Sequence, residues 1–236
     1  LSMSKFPKRI EGYDISHQQG TDVVASMVVF TNGVSNKAEY RKFKTKINHN
    51  NDFYNMNETL KRRLSDKNIK AWGLPDLVLI DGGKGQLDAA LQARDDAGLN
   101  KIPFIGLAKR EEQIVVSNEK SNLTIDEKTL QKLNGYVEQS SDFTLINLPK
   151  HTNLVKLLQR IRDESHRFAV SYHSTLKLKR QTSSIIDEVP GIGPETRKKL
   201  IRKFGSARGV REASETELTM VVGEKRAKLI AKYLSA

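Results

Sequence analysis

Residues Asp76–Leu91 read DLVLIDGGKGQLDAAL, and the organisation of the whole chain follows from them. The apolar run Leu77-Val78-Leu79-Ile80 lacks a helical period, so it reads as a buried strand. It ends in a carboxylate, Asp81, followed directly by Gly82-Gly83-Lys84-Gly85, after which Leu87, Ala90 and Leu91 mark the apolar side of a helix. A central strand thus delivers an acid to its C-terminal end, the edge where open sheets bind ligands. Lys84 stands at a helix N-terminus, which attracts phosphate. The same residues also suit an ordinary strand–turn–helix with a capping Asp. The G-x-x-x-x-G-K-[ST] spacing of a Walker loop is absent.

Upstream of this unit, Arg9–His17 and Asp22–Phe30 read as two strands joined by Gln18–Thr21. Asn32-Gly33 is a strong hairpin signal leading to a third strand around 37–46, which makes an antiparallel meander with Asp14 in its first strand. Asp52 stands where a helix from Phe53 to about Ser65 needs a cap. Downstream, 102–107 and 113–116 read as strands, and Leu154–Leu176 as an amphipathic helix with Leu154, Leu158, Ile161, Phe168 and Tyr172 on one side. Residues 118–144 are polar, with weak helical character at 129–137, and read as a surface insertion. The expected fold is an α/β domain with a mixed sheet over 1–175, a linker at 176–184 and a small helical domain over 185–236. Such a sheet can set Asp14 beside Asp81, and the last long helix can lay His166 across the same edge.

The charge is uneven. The 236 residues carry a net +12 with a pI near 9.7, and 14 Lys/Arg against 7 Asp/Glu fall after residue 175. A basic balance of this size points to a polyanionic partner. The absence of cysteine excludes disulfides, thiolate nucleophiles and zinc–thiolate sites, and suits a cytoplasmic setting. No apolar run approaches the roughly 20 residues of a membrane span, no signal peptide is visible, and Leu1-Ser2-Met3 reads as a cloning scar or an internal start.

The segments GYDISHQQG, NDFYNM, PDLVLIDGGKGQLDAAL, PFIGLAKREE and LLQRIRDESHRFAVSYH, in this order, resemble the C-terminal half of the UvrC family, the nuclease subunit of the bacterial excinuclease ABC. IIDEVPGIGPETRKKLIRKFG and the residues after it are similar to that family's tandem helix-hairpin-helix module. The resemblance implies an RNase H-like endonuclease fold and a metal-dependent cut of the damaged DNA strand on the 5′ side of a lesion. It also implies that the GIY-YIG nuclease of the 3′ cut and the segment that docks on UvrB lie outside this chain.

Phosphodiester hydrolysis needs an activated water and charge neutralisation, which Mg²⁺ or Mn²⁺ held by carboxylates supplies. The resemblance carries the catalytic Asp-Asp-His set onto Asp14, Asp81 and His166. Asp14 is the expected direct metal ligand, Asp81 shares the ion or its waters, and His166 is either a general base or a further ligand. Asp52 matches a family site acid and also fits a helix cap. The ligand set suits one metal, or a second that binds only with DNA. Lys84 is the expected phosphate contact, and His17, Arg160, Arg162 and Arg167 either line the strand path or form a solvated face. In the tail, Gly191-Ile192-Gly193 forms the hairpin before a helix at 194–204, and Thr196, Arg197 and Lys198 complete its backbone-gripping surface. The second copy, with Gly223, Lys225 and Arg226, lacks the Gly-Ile-Gly core, so it is either a reduced phosphate clamp or a packing partner. The implied partners are damaged double-stranded DNA with a bubble or junction, and UvrB; no membrane is expected. The competing readings are a DNA-binding module silent in isolation, and an RNA-directed hydrolase sharing only the fold.

Overall fold

A computed structural model describes residues 3, 5–17, 23–44, 51–109, 111–187 and 189–234, with side chains at 16, 17, 172–185 and 187 excluded. The loop expected at 18–21 and the end of the third strand at 45–46 lie outside the described residues. The chain divides into two compact units, Leu1–Val170 and Ser171–Ala236.

The first unit is built on one mixed sheet. Strand β1 (Arg9–His17) pairs antiparallel with β2 (Val23–Thr31) and parallel with β5 (Leu77–Asp81). On the far side, β5 runs parallel to β6 (Phe104–Ala108), which turns back into β7 (Gln113–Ser117). Val78, Leu79 and Ile80 are buried, as an unbroken apolar run in a strand covered on both faces must be. Asn32 and Gly33 both adopt positive φ, the conformation a two-residue hairpin turn requires. The strand expected at 37–46 is broken. After that turn come β3 (Val34–Ser35), a 3-10 turn at Lys37–Glu39 and β4 (Arg41–Lys44), and β3 and β4 both pair with β2.

Two helices follow where one was expected, α1 (Asp52–Arg63) and α2 (Asp66–Trp72). The cap of α1 is Asn51, whose side chain accepts from the Phe53 and Tyr54 amides, and Asp52 is the first helical residue. Asp52 is thus one position too late to be the cap. Helix α3 (Lys84–Asp96) follows β5.

The polar stretch at 118–144 is not simply a surface excursion. It holds α4 (Glu127–Lys132) and β8 (Tyr136–Gln139), and leads into β9 (Phe143–Asn147). β9 pairs with β7 and β8 with β9, so the segment extends the sheet to nine strands. Its polar composition suits an edge, where one strand face and the outer backbone meet water.

The long helix, α5, runs over Asn153–Asp187, so residues 176–184, expected as a linker, are helical. Its first turns approach β1 closely at Gly12. A Cβ there would stand 2.4 Å from Ile161 Cγ2, so the missing side chain admits the helix. The buried Ser26 hydroxyl, on the residue paired with Asp14, donates to the Ser165 carbonyl and ties α5 to the same face. The opposite face of β1 carries a wholly buried ion pair. Glu11 accepts from Arg63 at 2.6 and 3.0 Å and from the Tyr13 hydroxyl at 2.6 Å. Alternation along β1 therefore sends Glu11 and Tyr13 to α1, and Gly12 and Asp14 to α5.

The second unit is helical: α6 (Pro194–Phe204), α7 (Ala207–Glu212), α8 (Glu215–Val222) and α9 (Glu224–Leu234). Ile186, Val189, Leu200, Val210, Leu218, Ala227 and Ile230 form its own core.

Candidate active site

Parallel pairing of β1 with β5 sets Tyr13 opposite Ile80, so the next residues, Asp14 inside β1 and Asp81 at the end of β5, stand side by side. Both acids are almost wholly buried. Burial, and then the charge of Asp81, push the Asp14 carboxyl up from 3.8 to about 6, against the opposing pull of Lys109 and His166. Burial raises Asp81 as well, again opposed by Lys109. His166 Nδ1 lies 3.3 Å from Asp14 Oδ2, within reach of a hydrogen bond if that nitrogen carries the proton. The three residues joined by the family resemblance are therefore brought together, with β1, β5 and α5 each supplying one.

The site opens into a cavity of about 660 Å³ lined by Asp81, Lys109, Glu112, Arg162, Asp163, His166, Arg167 and Val170. Lys109 went unremarked in the sequence. Its Nζ stands 3.5 Å from Asp81 Oδ2. Nothing local marks it: Asp81 pairs with Leu107 across the β5–β6 ladder, and only this pairing carries Lys109 to the acid. Of the arginines left open between the strand path and a solvated face, Arg162 and Arg167 line the cavity, Arg162 pairing with Glu112 and Asp163, and Arg167 with Glu164. Arg160 does not. It donates to the Gly33 carbonyl and lies over the Phe30 ring. The side chain of His17 lies outside the described residues.

Lys84 also points elsewhere, donating to the Ser140 hydroxyl at 3.2 Å, and is not among the cavity residues. Asp52 is half-buried and likewise absent from the cavity lining. Its neighbour Phe53 packs on the α3 backbone at Gly85, where a Cβ would meet the ring at 2.6 Å.

The donor chemistry fits a divalent cation. Asp81 Oδ1 is buried with no hydrogen-bond partner, an arrangement that costs free energy unless a cation or water meets the oxygen. Two crowded carboxylates each raised by burial are the setting in which a cation is most favoured. Among the described residues no three His, Asp or Glu side chains converge as a ready-made cage. Mg²⁺ is commonly held by one or two carboxylates, with water and substrate phosphate completing its shell, and Asp14 and Asp81 match that pattern.

In the second unit, Gly191 has φ +79° and Gly193 caps α6 without a side-chain bond, with Pro194 at its first position. Gly191 and Gly193 are exposed, with nothing near the place of a Cβ, so their backbone is open to close approach. Ile192, Thr196 and Arg197 are half-buried, and the exposed Lys198 pairs with Glu195. Gly223, φ +82°, joins α8 directly to α9, and Lys225 and Arg226 are exposed on the first turn of α9. A single glycine stands here where the first hairpin has two, so the second hairpin is shorter. Among the described residues no helix is long and apolar enough to cross a membrane.

Comparison with known proteins agrees with this architecture. The UvrC RNase H endonuclease domain matches residues 1–170, and a SAM-like helix-hairpin-helix tandem matches 183–235. The UvrABC system protein C of Chlorobaculum tepidum is 40% identical over 237 residues, covering 100% of this chain and 34% of that protein. That of Solibacter usitatus is 42% identical, over 99% of this chain and 34% of its own length. The chain thus spans about a third of the length of these relatives. Among solved structures, the endonuclease V of Ciona intestinalis bound to inosine-containing DNA is 14% identical with a TM-score of 0.40, covering 72% of this chain and 87% of that one. With the family match extending over the whole of the first unit, and the paired acids and His166 on the sheet edge, the chain belongs to the UvrC RNase H endonuclease family.

Proposed function

We propose that this chain is the strand-cutting and DNA-gripping part of a nucleotide excision repair endonuclease, hydrolysing one phosphodiester on the 5′ side of a lesion in the damaged strand. The observation that carries the reading is the buried Asp14–Asp81 pair, with Asp81 Oδ1 left without a partner and His166 against Asp14. Asp14 and Asp81 would hold Mg²⁺ or Mn²⁺, which when bound supplies charge neutralisation and an activated water. His166, on the Asp14 side, accepts the proton of the attacking water. Asp52, at the start of α1, serves from outside the cavity lining. Lys84 meets a phosphate farther along the strand. Gly191, Ile192, Gly193, Thr196, Arg197 and Lys198 grip the backbone without reading bases, and Gly223, Lys225 and Arg226 add a weaker second contact. The setting is the bacterial cytoplasm, and UvrB positions the chain on a damaged duplex.

The test is nicking of a labelled bubble duplex in Mn²⁺, Mg²⁺ or EDTA, with Asp14→Ala alongside. Metal-dependent nicking of one strand, lost in Asp14→Ala while DNA binding persists, is the expected result. Normal cutting by Asp14→Ala would make the site assignment wrong. A second reading, a binding module silent without its partner, draws on the contacts the acids already make within the site, the ion pair of Lys109 with Asp81 and the approach of His166 to Asp14. Salt-sensitive bubble binding with no nicking under any metal is its signature.

A further inference from the structure

We infer that Lys109 is a catalytic residue of this site, acting as the cationic acid on the oxygen that leaves phosphorus. The inference rests on the nuclease reading above and assigns a role which that reading leaves empty. In-line hydrolysis has two ends. A proton must come off the attacking water on one side of the phosphorus, and negative charge on the leaving sugar oxygen must be met on the other. Two metal ions can meet both ends as a symmetric clamp; with one ion on the acid pair, one end is left to a protein group. Here only two carboxylates stand together, and no three acid or histidine groups converge among the described residues.

Two basic groups of the site contact the acids directly, each a different one. His166 lies on Asp14, at 3.3 Å. Lys109 lies on Asp81, at 3.5 Å. The acids themselves are adjacent, so a phosphate bound across them has the imidazole on one flank and the ammonium on the other. Lys109 is two-thirds exposed and lines the cavity, so its head can move from Asp81 to a bound phosphodiester without unburying anything. Its backbone is held more firmly than its exposure suggests. Lys109 follows β6, and the turn into β7 is fastened to α5 by the ion pair of Glu112 with Arg162, both largely buried. Glu112 adopts φ +59°, a conformation unusual outside glycine, asparagine and aspartate. A strained turn pinned by a buried ion pair is the support expected for a residue whose position matters.

The step balances as follows. Water oxygen bonds to phosphorus and its proton passes to His166. The bond from phosphorus to the leaving sugar oxygen breaks, that oxygen takes a proton from the Lys109 ammonium, and the lysine is reprotonated from solvent.

The test pairs Lys109→Ala with a change of leaving atom. On the ordinary bubble duplex in Mn²⁺, single-turnover cutting by Lys109→Ala falls about 10²-fold or more, and Lys109→Arg, whose guanidinium does not give up a proton, falls with it. On the same duplex carrying sulfur in place of the bridging leaving oxygen at the mapped cut, Lys109→Ala cuts near the wild-type rate, because a thiolate departs without a proton. His166→Ala stays slow on both. Binding to the uncut bubble in EDTA changes less than twofold in Lys109→Ala. Equal losses on oxygen and sulfur substrates, or no loss on either, would overturn the role of Lys109 and leave the nuclease reading standing. A wild-type chain that cuts neither substrate in any metal would overturn the nuclease reading itself.

Discussion

Replacing Asp14 by asparagine should make the metal-free protein more stable. Asp14 is displaced from 3.8 to about 6 because its charged form is buried beside another carboxylate. Between those two values the native state holds a proton that the unfolded chain has released, so stability falls as pH rises through the window and the full penalty applies above it. A shift of about two units at roughly 1.4 kcal/mol each gives about 3 kcal/mol, an upper figure because Asp81 shares in the repulsion. Asparagine has nearly the same shape and carries no charge. Asp14→Asn is therefore expected to gain about 2–3 kcal/mol at pH 8 in EDTA and only a few tenths near pH 4.

The first unit contains the only tryptophan, Trp72, packed edge-on to Phe43 with Arg41 over its ring. Its fluorescence reports unfolding of that unit alone. For a unit of about 170 residues the expected gain corresponds to a rise of roughly 5–10 °C in Tm at pH 8. On the proposed metal reading, millimolar Mg²⁺ should narrow the difference, because the wild type would gain stability by binding the ion and the asparagine form would lack one of the two proposed ligands. A gain of the same size at pH 4 and pH 8, or an asparagine form less stable at both, would refute the argument that repulsion within an acid pair raises the cost of this site.

Three further outcomes follow from the packing and the hairpins. Gly12→Ala should destabilise the first unit by about 1–3 kcal/mol through the forced contact with Ile161, and should slow cutting because α5 carries His166; urea unfolding and single-turnover assays read the two effects. Arg63→Met should cost about 1–3 kcal/mol, because buried Glu11 loses its two bonds from Arg63 and keeps only Arg9 and the Tyr13 hydroxyl, and urea unfolding followed by Trp72 fluorescence reads the loss. Gly191→Val, which places a β-branched residue at φ +79°, should weaken bubble binding and reduce the slope of log affinity against log salt, with Trp72-monitored stability unchanged.

The parts of the site differ in how far local sequence could reveal them. β5 was legible because a strand covered on both faces must be apolar throughout, and Asp81 interrupts that run at its end. α5 was legible over its amphipathic part, where Leu158 and Ile161 are buried against the sheet. Its continuation through 176–184 was not, since that stretch is charged and lacks the apolar period from which the first part was read. β8 was missed for a related reason: as an edge strand its residues are largely exposed, so it shows no buried face. The cap of α1 moved by one residue because Asn and Asp serve equally well at that position.

Lys109 belongs to a different class of miss. Its place beside Asp81 depends on β5 and β6 running parallel in one particular register, and pairing register between strands is a property of the assembled sheet. His166 lies 152 residues from Asp14 and reaches it because Gly12 lets a helix come down onto the strand. The acids were visible as strand residues, Asp81 at the end of its run, but the basic groups beside them arrive through packing. A site assembled in this way exposes the cost of its acids to any substitution that shifts α5 or the β6–β7 turn. Changes at Gly12, which lies under α5 and away from the cavity lining, and at Glu112, whose ion pair holds the β6–β7 turn, should therefore impair cutting more than changes at exposed lysines such as Lys84.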